Sequence, residues 1–316
     1  MHEFDLIRRL QARACGGAGV ILGIGDDAAL LQMADGQQLV VTCDTLNAGV
    51  HFPDDTAPYD IGWKALAVNL SDLAAMGATP RWCTLSLSLP QSDAAWVDAF
   101  ADEFFALAHQ HSVALVGGDT TRGPLAVSVT AMGVVPAGTA LRRDGAQAGD
   151  DLWLTGTLGD AAAALAQWRA GSAMHADLRA RLDRPQPRLG FGIALRDLAH
   201  ACIDVSDGLL QDLGHLCSAS GVGAEVWLTQ LPASPALIAT HPADDTRHRL
   251  QATGGDDYEL CFTAPASRRE RIAALHADGT KATRIGRIVP GEAVRALQAD
   301  GNAWRPPRNG FEHFAD

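Results

Sequence analysis

NLSDLAAMGATP, residues 69 to 80, continues a run from Trp63 in which positions 63, 66, 67, 70, 73 and 74 are apolar. That spacing predicts one buried face of a helix. Asp72 interrupts the face. A carboxylate among Leu, Ala and Met is costly unless it is paired or fully hydrogen-bonded. A helix-capping role, with Ser71 beside it, would account for a lone Asp. Asp72 has company, however. Asp26, Asp27, Asp44, Asp119, Asp204 and Asp207 also stand at the ends of apolar runs, several beside Gly, Ser or Thr. Carboxylates repeated at element ends point to a shared cluster that holds metal ions.

The chain has 316 residues, 47% hydrophobic and 20% charged, which suits a globular protein of two domains. A net charge of −12 argues against general binding to nucleic acid or to an anionic membrane, and suits a protein that recruits cations. The opening MHEFDLIRRLQARA lacks the apolar centre of a signal peptide, and no apolar run reaches the length of a membrane span. Cysteines 15, 43, 83, 202, 217 and 261 are scattered without a C-x-x-C pair. They read as reduced thiols of a cytoplasmic protein, not as a zinc site.

Working outward, residues 3 to 14 are expected as a short amphipathic helix. GIGDD then reads as a tight turn exposing Asp26 and Asp27, or as a plain surface turn. No G-x-x-x-x-G-K-[ST] occurs, so there is no P-loop. QLVVTCDT (38 to 45) is expected as a buried strand ending in Asp44, and NAGVHFPDDTAPYD as a long polar loop carrying His51. TLSLSLP (84 to 90) alternates like a half-buried strand, and residues 92 to 110 should form a helix with Trp96, Phe100, Phe104 and Leu107 in the core. ALVGGDTTRGPL reads as a short strand, a Gly-Gly turn, and then Asp119, Thr120, Thr121 and Arg122. Gly117 and Gly118 would let backbone approach a polyphosphate while Asp119 offers a carboxylate to Mg²⁺; the bland alternative is a hairpin turn. Residues 125 to 135 alternate as a strand, and 136 to 151 look like a domain linker carrying Arg142 and Arg143.

The second half opens with strand, Gly-rich turn and helix in LWLTGTLGDAAAALAQW. A helix is expected over 187 to 199, and CIDVSDGLLQDLGHLC as a strand running into a helix. Asp204, Ser206 and Asp207 occupy that junction, where helix N-terminal amides favour anions. GGDDYELCFT repeats the theme before a strand; a helix is expected over 267 to 278 and a strand over 282 to 289. Acidic motifs at Asp26, Asp72 and Asp119 recur at similar spacing at Asp160, Asp207 and Asp256. A duplication of that kind would make each half one α/β unit with carboxylates on matching loops.

GIGDDAALL, CDTLNAGVHF, ALAVNLSDLAAMGATP, GGDTTRGPL, IDVSDGL and GGDDYELCFT together resemble the thiamine-monophosphate kinases. These belong with aminoimidazole ribonucleotide synthetase, selenophosphate synthetase and a hydrogenase-maturation protein. The resemblance spans nearly the whole chain and implies an α/β, two-domain aminoimidazole ribonucleotide synthetase-like fold. A sheet-rich, ATP- and Mg-binding dimerisation domain would cover 1–137 and a C-terminal α/β domain 150–316. Two subunits would close a barrel, with residues 84 to 90 and 125 to 135 candidates for the interface and acids of both halves needed at the site. The implied reaction is ATP-dependent phosphorylation of thiamine monophosphate in a cytoplasmic homodimer.

By motif, Asp27, Thr42, Cys43, Asp44, Asp72, Asp119, Asp204 and Asp207 would hold several Mg²⁺ ions, with Asp72, Asp119 and Asp207 central to catalysis. Gly118, Asp119, Arg143 and Ser206 would contact ATP, and His51, Asp256 and Phe311 the thiamine end. Two positions depart from the family: Asp256 stands where Glu is usual, and Cys43 where Thr is usual. Thiol sulfur is a poor partner for hard Mg²⁺, whereas a backbone carbonyl at that position would serve unchanged. Another ATP-dependent synthetase of the superfamily, or a non-catalytic Mg-nucleotide-binding protein, are the alternatives.

Overall fold

In the computed structural model, which describes residues 3–14, 16–24 and 28–311, the first element is helix α1 (Glu3–Arg13). Arg9 and Arg13 reach Asp98, at 2.5 and 3.2 Å. Strands β1 (Val20–Leu22) and β2 (Leu30–Leu31) form a short antiparallel ribbon. There follow β3 (Gln37–Asn47), α2 (Pro58–Ala75), β4 (Thr79–Leu89), α3 (Ala94–Gln110), β5 (Ala114–Arg122) and β6 (Ala126–Pro136). Two compact units divide the chain: Met1–Leu73 with Ala78–Gly138, and Ala74–Gly77 with Thr139–Asp316.

In the first unit four strands lie in the order β3-β6-β4-β5. β4 and β5 are parallel, with α3 as their crossover, and the other neighbours are antiparallel. The buried face carries Leu46, Val127, Val129, Ala131, Leu85 and Leu87. Helix α2 supplies Leu66, Ala67, Leu70, Leu73 and Ala74, each fully buried, as its apolar spacing requires. Lys64, on the same helix, is only 1% exposed. The aromatic stripe of α3 is core as expected: Phe100 and Phe104 are fully buried and their rings lie 5.8 Å apart. α2 crosses α3 closely enough that a Cβ on Gly62 would lie 2.1 Å from the Phe100 carbonyl oxygen.

Three local expectations change in this unit. The strand expected as buried over 38–45 is longer and largely open: β3 runs from Gln37 to Asn47, and Leu46 is its buried residue. The loop carrying His51 is shorter than expected, since α2 starts at Pro58. No turn forms at Gly117-Gly118 either; β5 runs through both to Arg122. Gly118 has φ 147°, and a Cβ there would meet the Leu85 carbonyl oxygen at 1.9 Å. Close strand pairing, in a conformation open to glycine, explains that residue.

The second unit contains β7 (Asp151–Thr155), α4 (Asp160–Arg169), α5 (Ala176–Asp183), α6 (Leu189–Leu195), β8 (Ala201–Val205), α7 (Leu209–Ser220) and β9 (Gly223–Trp227). It continues with α8 (Pro235–Thr240), α9 (Asp244–Thr253), β10 (Glu259–Ala264), α10 (Arg269–Ala273), β11 (Ala282–Val289), β12 (Val294–Leu297) and β13 (Ala303–Trp304). Seven strands lie in the order β13-β12-β9-β11-β7-β10-β8, antiparallel except for β12 beside β9. Leu152, Leu154, Ile203, Val205, Leu213, Leu216, Val226 and Ile285 build its core. The presumed linker is part of this unit: Leu141 and Ala146 are buried, and the Cys202 amide donates to the Arg142 carbonyl at 2.9 Å. The helices expected over 187–199 and 267–278 are shorter, α6 and α10 respectively.

The repeated acidic motifs do not occupy matching loops. Asp72 lies inside α2 and Asp207 in the loop before α7; Asp119 lies within β5 and Asp256 in the loop before β10.

Candidate functional site

The two units each assemble part of the residue set that the sequence singles out. In the first, alternation along β3 sends Thr42 and Asp44 to one face and Cys43 to the other. The Thr42 hydroxyl donates to Asp72 Oδ2 at 2.5 Å. One turn earlier on α2, Asn69 Oδ1 accepts the Asp44 amide at 3.1 Å, while its own Nδ2 donates to the Ala65 carbonyl. Thr42, Asp44 and Asp72 are thereby brought together by two hydrogen bonds between β3 and α2. Asp72 is half-buried inside the helix, so it is not a cap. The Cys43 thiol is exposed on the far face of the strand, leaving only the main chain of Cys43 beside Thr42 and Asp44.

Asp119 is not part of that group within the unit. Register places it in one row with Ser86, Ser128 and Thr45, the face opposite Thr42 and Asp44. It sits at the other edge of the sheet, three strand spacings or about 14 Å across. It is exposed, and one carboxylate oxygen accepts the Thr120 amide at 2.9 Å. Asp26 and Asp27 lie outside the described residues. Among the described residues, no three His, Cys, Asp or Glu side chains form a ready-made metal cluster.

His51 is held at both its ring and its carbonyl. Its Nδ1 accepts the Asn47 amide at 3.0 Å, and its carbonyl accepts Lys64 Nζ at 2.9 Å. In the neutral ring this assigns the proton to Nε2. The residue is therefore set up as a donor.

In the second unit the ends of β8 and β10 gather the remaining candidates. The Asp256 amide donates to the Ser206 carbonyl at 2.8 Å, and the Phe311 amide to the Asp207 carbonyl at 3.0 Å. Gln211 Nε2 ties the Phe311 carbonyl at 2.7 Å and approaches Asp207 Oδ2 at 3.4 Å. Asp204 is buried on β8; Ser206 and Asp207 are half-buried beyond it. Asp256 and Tyr258 both have positive φ, 68° and 52°, and the Tyr258 hydroxyl donates to Asp256 Oδ1 at 3.2 Å. Such backbone strain in non-glycine residues persists only where surrounding structure imposes it. Arg143 is exposed, its carbonyl accepting the Ser220 hydroxyl at 2.6 Å; Arg142 pairs with Asp144.

Three buried acids that sequence reasoning passed over hold this rim. Asp212, in the first turn of α7, accepts the amides of Ser206, Asp207 and Gly208 on one oxygen, each at 3.1 Å. Burial, with the charge of Asp207 adding, pushes its carboxyl up to about 7 against the pull of those amides. Three consecutive loop amides leading into the helix are thus committed to a protein carboxylate. Asp257, fully buried, accepts the Gly159 amide on both oxygens at 2.9 and 3.0 Å, and burial raises its carboxyl well above the usual range. Glu259, 0% exposed, is bound by Arg188 and by Arg181 and Thr155 at 2.8 and 2.7 Å. Burial acts to raise its pKa, but the hydrogen bonds and charge of Arg188 and the charge of Arg181 hold it low. The motif GGDDYE contained two of the three, and only its first Asp drew a role.

Residues 25–135 match the N-terminal domain, and 147–297 the C-terminal domain, of the family described as AIR synthase related protein. Across 320 residues the sequence is 46% identical to the thiamine-monophosphate kinase of Salmonella typhimurium, covering 99% of this chain and 98% of that protein. A crystal structure of thiamine-monophosphate kinase from Stenotrophomonas maltophilia K279a shares 55% identity at a TM-score of 0.88, covering 96% of this chain and 98% of that one. The structure described as AaThiL complexed with AMPPCP and TMP shares 31% identity at a TM-score of 0.78, with 98% and 96% covered.

Proposed function

The chain belongs to the thiamine-monophosphate kinase family of AIR synthase related proteins, and on that premise we infer that it transfers a phosphoryl group from ATP to thiamine monophosphate, giving thiamine diphosphate. The observation that carries this reading is identity along the whole chain to a kinase of that name, in both domains.

The oxygen-rich donor set fits Mg²⁺, a hard cation that prefers carboxylates and phosphate oxygens. Asp27, Thr42, the main chain of Cys43, Asp44, Asp72, Asp119, Asp204 and Asp207 are the residues that would hold several such ions. Bound Mg²⁺ would supply charge neutralisation between two phosphate groups that otherwise repel. The hydrogen bond from Thr42 fixes one oxygen of Asp72.

The chain's own residues do the positioning. Gly118, Asp119, Arg143 and Ser206 are assigned to ATP, and His51, Asp256 and Phe311 to the acceptor. His51 donates from Nε2, since Nδ1 is already an acceptor. The acceptor phosphate has a second pKa of about 6, so it is mostly dianionic at neutral pH and is itself the nucleophile. No general base is required. Transfer is direct and in line, from ATP to the acceptor, without a phosphorylated protein group.

The working form is a homodimer in the cytoplasm. The outer face of the first unit's sheet supports a second copy: edge strand β3 leaves Leu39 44% and Val41 55% exposed on the side of the polar Thr45–Ser128 row. Free thiols among the described cysteines, and ATP as co-substrate, support the compartment. No described helix is long and apolar enough to cross a membrane.

The test is ADP release by purified protein with ATP and Mg²⁺, with and without thiamine monophosphate. Release that ignores the acceptor would defeat the kinase reading. A rapid quench with γ-labelled ATP lacking acceptor tests the route. Stoichiometric label on the protein, transferable to thiamine monophosphate, would overturn in-line transfer.

A further inference from the structure

We propose that Asp212 is a positioning residue that converts the Ser206–Asp207–Gly208 loop from an anion receptor into a cation-presenting loop, an inference that rests on the kinase reading above. Consecutive amides at a strand-to-helix junction ordinarily make a concave seat for a phosphate or carboxylate, aided by the positive end of the helix. Here the seat is filled from within. All three amides donate to Asp212 Oδ2 at 3.1 Å, from a side chain on an almost wholly buried residue.

Asp207 stands one residue before Gly208, the N-cap of α7, and Gly208 provides no side-chain cap. Asp212 takes up the amides of Ser206, Asp207 and Gly208, so the main chain of the loop is held from the protein side. The Asp207 carboxylate is half-buried beside it, approached by Gln211 at 3.4 Å. The same clamp fixes the loop carbonyls, and these hold Asp256 through Ser206 and Phe311 through Asp207. One buried oxygen thus sets the orientation of a proposed metal ligand and two proposed acceptor contacts.

Asp212→Ala and Asp212→Asn test the idea, with hydrogen exchange of amides 206–208 in metal-free protein and the Mg²⁺ concentration for half-maximal activity as readouts. In folded Asp212→Ala, exchange at those three amides should accelerate while the middle of β8 stays protected. Its Mg²⁺ midpoint should rise about 10- to 100-fold, the usual effect of losing an outer partner of a metal ligand. Asp212→Asn keeps an acceptor oxygen and should shift both readouts in the same direction by less. Faster exchange with an unmoved Mg²⁺ midpoint, or no change in exchange, overturns the proposal. Should Asp212→Ala fail to fold, Asp212→Asn decides: a raised midpoint supports the assignment and an unmoved one defeats it. Wild-type protein without acceptor-dependent ADP release would instead defeat the kinase reading, and the exchange measurement would still report on the clamp.

Discussion

Thr42 on β3 donates its hydroxyl to Asp72 on α2 at 2.5 Å, joining an edge strand to a helix with a fully buried apolar face through a carboxylate. That bond explains how an acid can interrupt a buried helical face. One oxygen is satisfied by a neighbouring element and the residue is only half-buried, so the helix need not bury an unpaired charge. Asp72→Asn keeps the acceptor for Thr42 but removes the charge. Turnover should fall by about two to three orders of magnitude, as when a charge-stabilising group is lost from a reacting centre. The thermal unfolding midpoint should stay close to wild type. Near-normal turnover at saturating Mg²⁺ would return Asp72 to a structural role.

His51→Gln addresses the acceptor end. With Nδ1 accepting the Asn47 amide, the ring can offer only Nε2–H to a substrate. Glutamine retains a donor of similar reach but loses the lock on the Asn47 amide. The Michaelis constant for thiamine monophosphate should rise about fivefold, in keeping with about 1 kcal/mol for one hydrogen bond, and turnover should change little. Steady-state kinetics with varied acceptor will separate the two. Loss of turnover at saturating acceptor would mean that His51 acts on the transferring phosphoryl group.

Glu259→Gln tests the charge network beneath the Asp256 loop. Removing this carboxylate leaves the buried Arg188 and the half-buried Arg181 against a neutral amide, which should cost about 3–5 kcal/mol in urea unfolding. Because Arg188 and Arg181 hold Glu259 below its ordinary value of 4.5, its contribution is complete above that value and is lost as pH falls through the lowered one. Asp257 works in the opposite sense. Its raised carboxyl favours the folded state at acid pH, and that contribution is lost as pH rises from the ordinary 3.8 through the raised value. Unfolding curves of Glu259→Gln and Asp257→Asn against wild type, from acid to neutral pH, should therefore diverge with opposite slopes. Parallel curves would show that neither acid changes protonation on folding.

What could be read from sequence was what local periodicity encodes. The α2 face, the α3 aromatic stripe and the alternating strands all follow from spacing of 3.6 or 2. Several site residues were visible as acids interrupting apolar runs, and Thr42, Asp44 and Asp72 do meet. Their partners were hidden for physical reasons. Asp212 falls between apolar positions 210 and 213, where a charge ordinarily marks the solvent face, and only the turn of the chain at Gly208 brings amides to it. Lys64 carries a charge that sequence assigns to the surface, yet its ammonium reaches the His51 carbonyl from within the core. Gly117-Gly118 looked like a turn because glycine permits one; the demand for glycine came instead from the neighbouring Leu85 backbone. Asp119 and Cys43 shared motifs with their neighbours but not faces, since the row each occupies depends on strand register rather than on motif order.

Val41→Asp is the sharpest probe of the proposed dimer. Val41 lies on edge strand β3 at 55% exposure, between Leu39 at 44% and the exposed Cys43 thiol. Three such positions on one strand face form an apolar strip that a second copy would cover. An aspartate there can keep its hydration in a monomer, so the fold should tolerate it. Across a two-fold interface it would place two like charges in a desolvated strip, an isologous arrangement that doubles the penalty. Wild type should sediment as a dimer and Val41→Asp as a folded monomer with unchanged far-ultraviolet circular dichroism. Leu39→Asp, on the same face two residues away, should behave alike, whereas Ile238→Asp on an exposed position of the second unit should leave the dimer intact. A dimer that survives both β3 substitutions would place the interface elsewhere, and a monomeric wild type would dispose of the homodimer altogether.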